Sequence, residues 1–228
     1  MIEPLPVQFA LVDLVHDRLV AAIADGTLKP GQRITQDDIA TRLGVSRQPV
    51  SHALQVLRRR GLLADRGRRG LVVAPLDASR LREYYQLRAV LDGLAASLAA
   101  TRVRAGGLAA RERRQGRALL ARGSALVAHG TIAELVTADV EFHSMIHRWS
   151  GNQAIIDTVA EAWPHFMRSM GAVLANPAVR RRIWREHGEI LDLILAGEPV
   201  AAEAAARQHT WVAGEETAVS LERAASVA

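Results

Sequence analysis

Six of the eight histidines fall in the second half of the chain: His129, His143, His147, His165, His187 and His209. Asp139 and His143 are four residues apart, so a helix aims both at one spot. His187 follows Pro177 and His209 follows Pro199, each on a separate apolar-periodic stretch. If those three stretches are neighbouring helices, one carboxylate and three imidazoles converge. Such an O/N set without thiolate suits zinc, nickel, manganese or iron as a divalent cofactor, and the sequence does not choose among them. His147 continues the face of His143 as a reserve ligand. The same donors could activate water for hydrolysis, with Glu141, Glu186 or Glu189 as a base. No HExxH, P-loop or GxSxG motif accompanies them, and no glycine-rich dinucleotide loop follows a strand.

The first third carries different chemistry. Lys29 is the only lysine among 29 basic side chains, and the net charge is +5. Arg42, Arg47, Arg58, Arg59, Arg60, Arg66, Arg68 and Arg69 face only Asp65 across residues 42–70, a concentration of positive field that suits a polyanion. Arginine forks match phosphates and base edges.

The elements that must carry these groups are legible from periodicity and breakers. Apolar spacings of three and four mark a helix over Val7–Ala24, ended by Gly26. Thr35 caps a second helix that ends at Gly44. Ser46 caps a third that runs to Arg60, with Pro49 in its first turn. Leu62–Leu63 and Leu71–Val73 flank Asp65-Arg66-Gly67-Arg68-Arg69-Gly70, the pattern of a β-hairpin with a basic tip. Beyond Pro75 only helices are expected: Ser79–Arg104, Leu108–Ala128, Thr131–Trp149, Gln153–Leu174, Pro177–Ala196 and Pro199–Leu221. The fold class is therefore mainly α. A winged helix-turn-helix over residues 1–75 precedes an antiparallel all-α bundle over 76–228. The helix starting at Ser46 offers its first turn to a major groove, and the wing offers arginines to the backbone.

The chain has 228 residues, of which 49% are hydrophobic, enough for two cores. The absence of cysteine removes disulfides, thiolate metal sites and cysteine nucleophiles. No apolar run approaches the ~20 residues of a membrane span. The first seven residues lack a basic segment before an apolar one. A soluble cytoplasmic protein is the expectation.

Leu28-Lys29-Pro30-Gly31-Gln32-Arg33-Ile34, then Asp38-Ile39-Ala40-Thr41-Arg42-Leu43-Gly44-Val45-Ser46-Arg47-Gln48-Pro49-Val50, resemble the DNA-binding domain of GntR-type transcriptional regulators. Ala53 to Leu57 and Gly61 to Leu63 extend the likeness to about residue 75. It implies that Arg47 reads bases, that Ser46 and Gln48 contact phosphates or base edges, and that Arg68 and Gly70 belong to the wing. Ser51 and His52 stand where members commonly carry Arg-Glu, a departure that alters the groove contact. Asp37 occupies a place where some members use a basic residue.

Tyr85 to Ala96, Asp139 to His143, Glu186-His187 and Ala204 to His209 resemble the FCD effector domain of the FadR subfamily, over about residues 80–215. In many members an Asp and three His bind a divalent metal at the base of a ligand cavity. Position by position this implies Asp139, His143, His187 and His209. It also implies that Arg88, with Arg168 as a second candidate, holds the carboxylate of a small organic acid effector through a bidentate pair. The expectation is a homodimeric regulator, a repressor, gripping double-stranded operator DNA under control of that acid, with no membrane partner. The alternatives are a metal-dependent hydrolase and a purely structural DNA-binding dimer without an effector.

Overall fold

The computed structural model describes residues 9–67 and 70–227. The chain divides into two compact units between Leu76 and Asp77. The first holds α1 (Phe9–Ala24), β1 (Arg33–Ile34), α2 (Gln36–Leu43), α3 (Arg47–Arg59), β2 (Leu63–Asp65) and β3 (Leu71–Val73). Val15, Leu19 and Ile23 recur every fourth residue on α1 and bury with Val50, Leu54 and Leu57 of α3. The Thr35 hydroxyl accepts the Asp38 N–H at 3.2 Å and starts α2. Gly44 stops it at φ +65°, a left-handed angle that a Cβ would penalise.

Ser46 takes the N-cap position of α3 with extended backbone, but its side chain makes no capping hydrogen bond. The first-turn N–H groups of that helix thus lack a hydroxyl cap of the kind Thr35 gives α2. The hairpin forms in antiparallel register, Leu63 opposite Val73 and Asp65 opposite Leu71. The Arg66 N–H donates to the Gly70 carbonyl at 2.9 Å across its tip. Arg68 and Arg69, expected at that tip, lie outside the described residues, as do Val7 and Gln8 at the start of the first expected helix. Strand β1 is an addition to the expected elements. Arg33 and Ile34 pair with Val72 and Leu71, giving the sheet order β1-β3-β2. Two residues are too short for an alternation signal, and tertiary pairing alone makes them a strand.

The second unit holds α4 (Ala78–Arg104), α5 (Ala110–His129), α6 (Ile132–Ser150), α7 (Gln153–Leu174), α8 (Pro177–Ala196) and α9 (Pro199–Val227). The side chains of Asp77, Thr131, Asn152 and Asn176 accept first-turn N–H groups of α4, α6, α7 and α8. Helix α9 passes Leu221, its expected end, by six residues because Glu222 to Ser226 contain no breaker. Helices α4 and α9 run antiparallel. Arg82 meets Glu215 and Glu222, Tyr85 meets Gly214, Asp92 meets Thr210, and Gly93 meets Glu203 and Arg207.

Small residues set the spacing of this bundle. A Cβ at Gly214 would lie 2.5 Å from that of Tyr85, and one at Gly123 of α5 would lie 1.8 Å from the Trp184 ring of α8. Both contacts are below van der Waals separation, so these helices approach as closely as they do only with glycine there. Phe142, Leu191, Ile194 and the alanines of α4 fill the core. Among the described residues no helix is long and apolar enough to cross a membrane.

Candidate functional site

Helix α6 is amphipathic, and one stripe of its buried face carries Asp139, His143 and His147. His187 comes from α8, His209 from α9, and Arg88 and Asp92 from α4, all buried. Asp139, His143, His187 and His209 converge. The Nε2 atoms of His187 and His209 are 3.2 Å apart. Asp139 sets Oδ1 3.5 Å from His187 Nε2 and Oδ2 3.9 Å from His143 Nε2. One nitrogen from each imidazole falls within 4.8 Å of the others. His187 stacks on Phe142 with ring centroids 4.1 Å apart, which orients its plane.

One inward oxygen and one outward nitrogen of the cluster lack hydrogen bonds. Asp139 Oδ2 is buried without a hydrogen bond, as is Nδ1 of His187. Such groups cost ~1–3 kcal/mol each when left unmet. The outward nitrogens of the other two imidazoles are served by carboxylates. His209 Nδ1 is 2.7 Å from Glu186 Oε2, and His143 Nδ1 is 3.3 Å from Asp92 Oδ2. Burial first, then the facing His209 and His143 and the Arg88 charge, pushes His187 well below the ordinary imidazole pKa. Burial and the Arg88 charge lower His143 too, against the opposing pull of Asp92.

Sequence order did not reveal Asp92 as the hub of the site. It accepts from Arg88 Nε at 3.1 Å and from the Thr210 hydroxyl at 2.8 Å, and it meets His147 Nε2 at 2.7 Å. Burial alone would raise its pKa, yet Arg88 and the two imidazoles hold it well below the carboxylate range. His147 is thereby committed to Asp92. The Arg88 guanidinium lies over Trp163 at 4.6 Å and Phe166 at 4.8 Å, a cation held in an aromatic frame. A cavity of about 20 Å³ adjoins Arg88, Asp139, His143 and His209. That is room for one water-sized guest. Arg168 is half-buried on α7, where burial lowers its pKa, and it does not line this cavity.

These shifts predict a pH dependence. A histidine whose folded pKa is depressed binds fewer protons folded than unfolded, so stability falls as pH drops below the unfolded value of about 6.5. With chelator present, stability to urea should fall as pH drops through 6.5, approaching at most about 1.4 kcal/mol per pH unit for each of His143 and His187 that stays neutral in the folded protein. A flat profile would contradict buried neutral imidazoles.

In the first unit Ser46, Arg47 and Gln48 are exposed in and before the first turn of α3, and His52 is exposed one turn on. Ser51 is half-buried and accepts from Gln36 Nε2 at 3.2 Å, tying α2 to α3. Arg47 Nε lies 2.6 Å from Asp37 Oδ1, with side chains 74% and 65% exposed. That openness makes the pair easy for a phosphate or base to displace. Gly70 closes the wing at φ +94°.

A profile described as bacterial regulatory proteins, gntR family, matches residues 11–73, and an FCD domain profile matches residues 83–210. The chain belongs to the GntR family and carries an FCD domain. An HTH-type transcriptional regulator from an unstable DNA locus of Streptomyces ambofaciens is 31% identical over 80% of this chain and 74% of its own length. YdhC of Bacillus subtilis, another HTH-type transcriptional regulator, is 37% identical, but the match spans 36% of this chain and 37% of YdhC. The solved structure of E. coli McbR/YncC superposes with a TM-score of 0.77 at 19% identity, covering 98% of this chain and 99% of that one, and so shares the fold. In this GntR chain the FCD match contains all four convergent donors together with Arg88 and Asp92. Glu186, weighed from sequence only as a candidate base, serves His209 instead. The signal for Asp92 was its place four residues after Arg88, an ion-pair spacing on a helix.

Proposed function

We propose that this protein is a transcriptional regulator that grips operator DNA as a homodimer through its winged helix. In this reading it acts as a repressor, and its helical unit adjusts that grip by binding a divalent metal and a small organic acid. The observation that carries the sensing half is the buried convergence of His143, His187 and His209, with Asp139 within 3.9 Å of two of them and its Oδ2 without a hydrogen bond. Three imidazole nitrogens and a carboxylate oxygen are a donor set suited to zinc, nickel, manganese or iron. The same four residues would hold the ion, whose charge would satisfy the unmet lone pair of Asp139 and draw in an anion.

Arg88 supplies the second cationic contact for an acid. In the present arrangement its Nε is taken by Asp92, and the cavity admits only a water-sized guest. An organic acid therefore requires a more open arrangement of α4, α7 and α9, and by binding that arrangement better it shifts the population toward it. A coupling of ~1–3 kcal/mol between acid and DNA is the usual size. Self-association is supported by α4, where Leu87, Val90 and Leu94 are 53%, 47% and 40% exposed on one face. Antiparallel apposition of two copies about Val90 sets Leu87 of each against Leu94 of the other, a self-complementary two-fold contact.

The DNA half is tested at Arg47. In fluorescence anisotropy with a duplex selected from a random pool, Arg47→Ala should weaken binding by about 1–3 kcal/mol and relax the preference at one base pair. Unchanged affinity and unchanged preference would remove Arg47 from the reading role. Titrating small mono- and dicarboxylates into the wild-type complex then shows whether the acid loosens or tightens the grip.

A further inference from the structure

An imidazole presents a lone pair only on the nitrogen that carries no proton, and the hydrogen bond at the other nitrogen decides which one that is. For His209 that decision falls to Glu186. Its Oε2 lies 2.7 Å from His209 Nδ1. An ionised carboxylate only accepts, so the proton stays on Nδ1 and the Nε2 lone pair points at His187 Nε2, 3.2 Å away. Glu186 is itself held. Arg182, one turn earlier on α8, donates through Nη1 to Glu186 Oε1 at 3.0 Å and through Nη2 to Glu216 of α9. A chain of contacts thus runs from Glu216 to Arg182 to Glu186 and ends on His209, crossing between α8 and α9. None of its first three members lines the cavity.

The three imidazoles are not alike in this respect. His187 has a buried Nδ1 with no hydrogen bond and takes its orientation from Phe142. His143 has Asp92, but Asp92 also serves Arg88, Thr210 and His147. Only His209 has a carboxylate whose other oxygen is clamped by an arginine from the helix that supplies His187.

From this geometry we infer that Glu186 is a positioning residue of the metal site, fixing the tautomer and aim of His209, with Arg182 as its clamp. The inference rests on the metal reading given above. The test measures zinc affinity of the full-length protein by competition with a chromophoric chelator, and the visible spectrum of the cobalt-loaded protein. Glu186→Met should weaken zinc binding by about 10–100-fold and alter the cobalt bands, with Glu186→Gln in between because its amide oxygen still accepts. Glu216→Gln leaves the contact to His209 intact and should change affinity far less than Glu186→Met does. Wild-type affinity in Glu186→Met, or an equal loss in Glu216→Gln, overturns the positioning role while leaving the metal reading standing. A wild-type protein that takes up no zinc overturns both.

Discussion

Asp92→Ala is expected to destabilise the protein by about 3–5 kcal/mol, because it leaves Arg88 as an unpaired charge in the interior. Both partners are nearly inaccessible, with side chains 3% exposed. The substitution also deprives the Thr210 hydroxyl and His147 Nε2 of their acceptor. The aromatic frame of Trp163, Phe166 and Tyr85 offsets only part of the loss, since a cation over a ring gains ~0.5–2 kcal/mol. For a chain of this size each kcal/mol moves the melting temperature by roughly 2–4 °C, so calorimetry reads the effect directly. The control is the double variant Arg88→Met with Asp92→Leu. Removing both charges together also removes their desolvation cost, so the double should be more stable than Asp92→Ala alone. A single variant within ~1 kcal/mol of wild type would mean that Arg88 does not depend on Asp92.

The hub at Asp92 separates what one-dimensional patterning encodes from what it does not. Helix limits are local: Thr35, Asn152 and Asn176 cap where they stand, and Gly44, Gly151 and Gly197 stop helices wherever they occur. For that reason α7 and α8 begin and end where breakers and periodicity place them. The facing of Asp139 and His143 is equally local, because four residues return to the same side of a helix. His147 shares that side and that spacing, yet it turns to α4 and not to the cluster. The difference lies in what other helices bring to each ring: His187 and His209 face His143, whereas Asp92 of α4 meets His147 Nε2 at 2.7 Å. No periodicity within α6 contains that information. Arg88 illustrates the same limit. Its placement at the cavity follows from the resemblance, whereas its capture by Asp92 depends on α4 being enclosed on several sides. Strand β1 exists only because β3 is beside it. In each case the missing quantity is the register between elements, which side-chain packing decides after local structure has formed.

The second large effect concerns the imidazoles themselves. His143→Ala combined with His187→Ala should abolish stoichiometric metal binding, measured by elemental analysis and by thermal shift on adding zinc. The reason is geometric: two of the three nitrogens that share one 4.8 Å cluster are gone, and Asp139 with His209 cannot enclose an ion alone. Wild type should gain about 4 kcal/mol of stability at zinc a thousandfold above its dissociation constant, and the double variant nothing. His187 is fully buried against Phe142, so its truncation also opens a void costing about 2–5 kcal/mol. Asp139→Asn separates these effects. It keeps the side-chain volume, removes one charge from the donor set, and should weaken zinc binding without lowering the stability of the metal-free protein. Asp139 Oδ2 has no hydrogen-bond partner to lose, so the metal-free protein should be at least as stable as wild type. A wild-type protein whose unfolding is indifferent to zinc, or a double variant that still responds to it, would show that the four donors converge for packing and not for an ion. The α4 face proposed for self-association and α3 are untouched by these changes, so the variants should still self-associate and bind the selected duplex, losing only the adjustment of that grip by metal and acid.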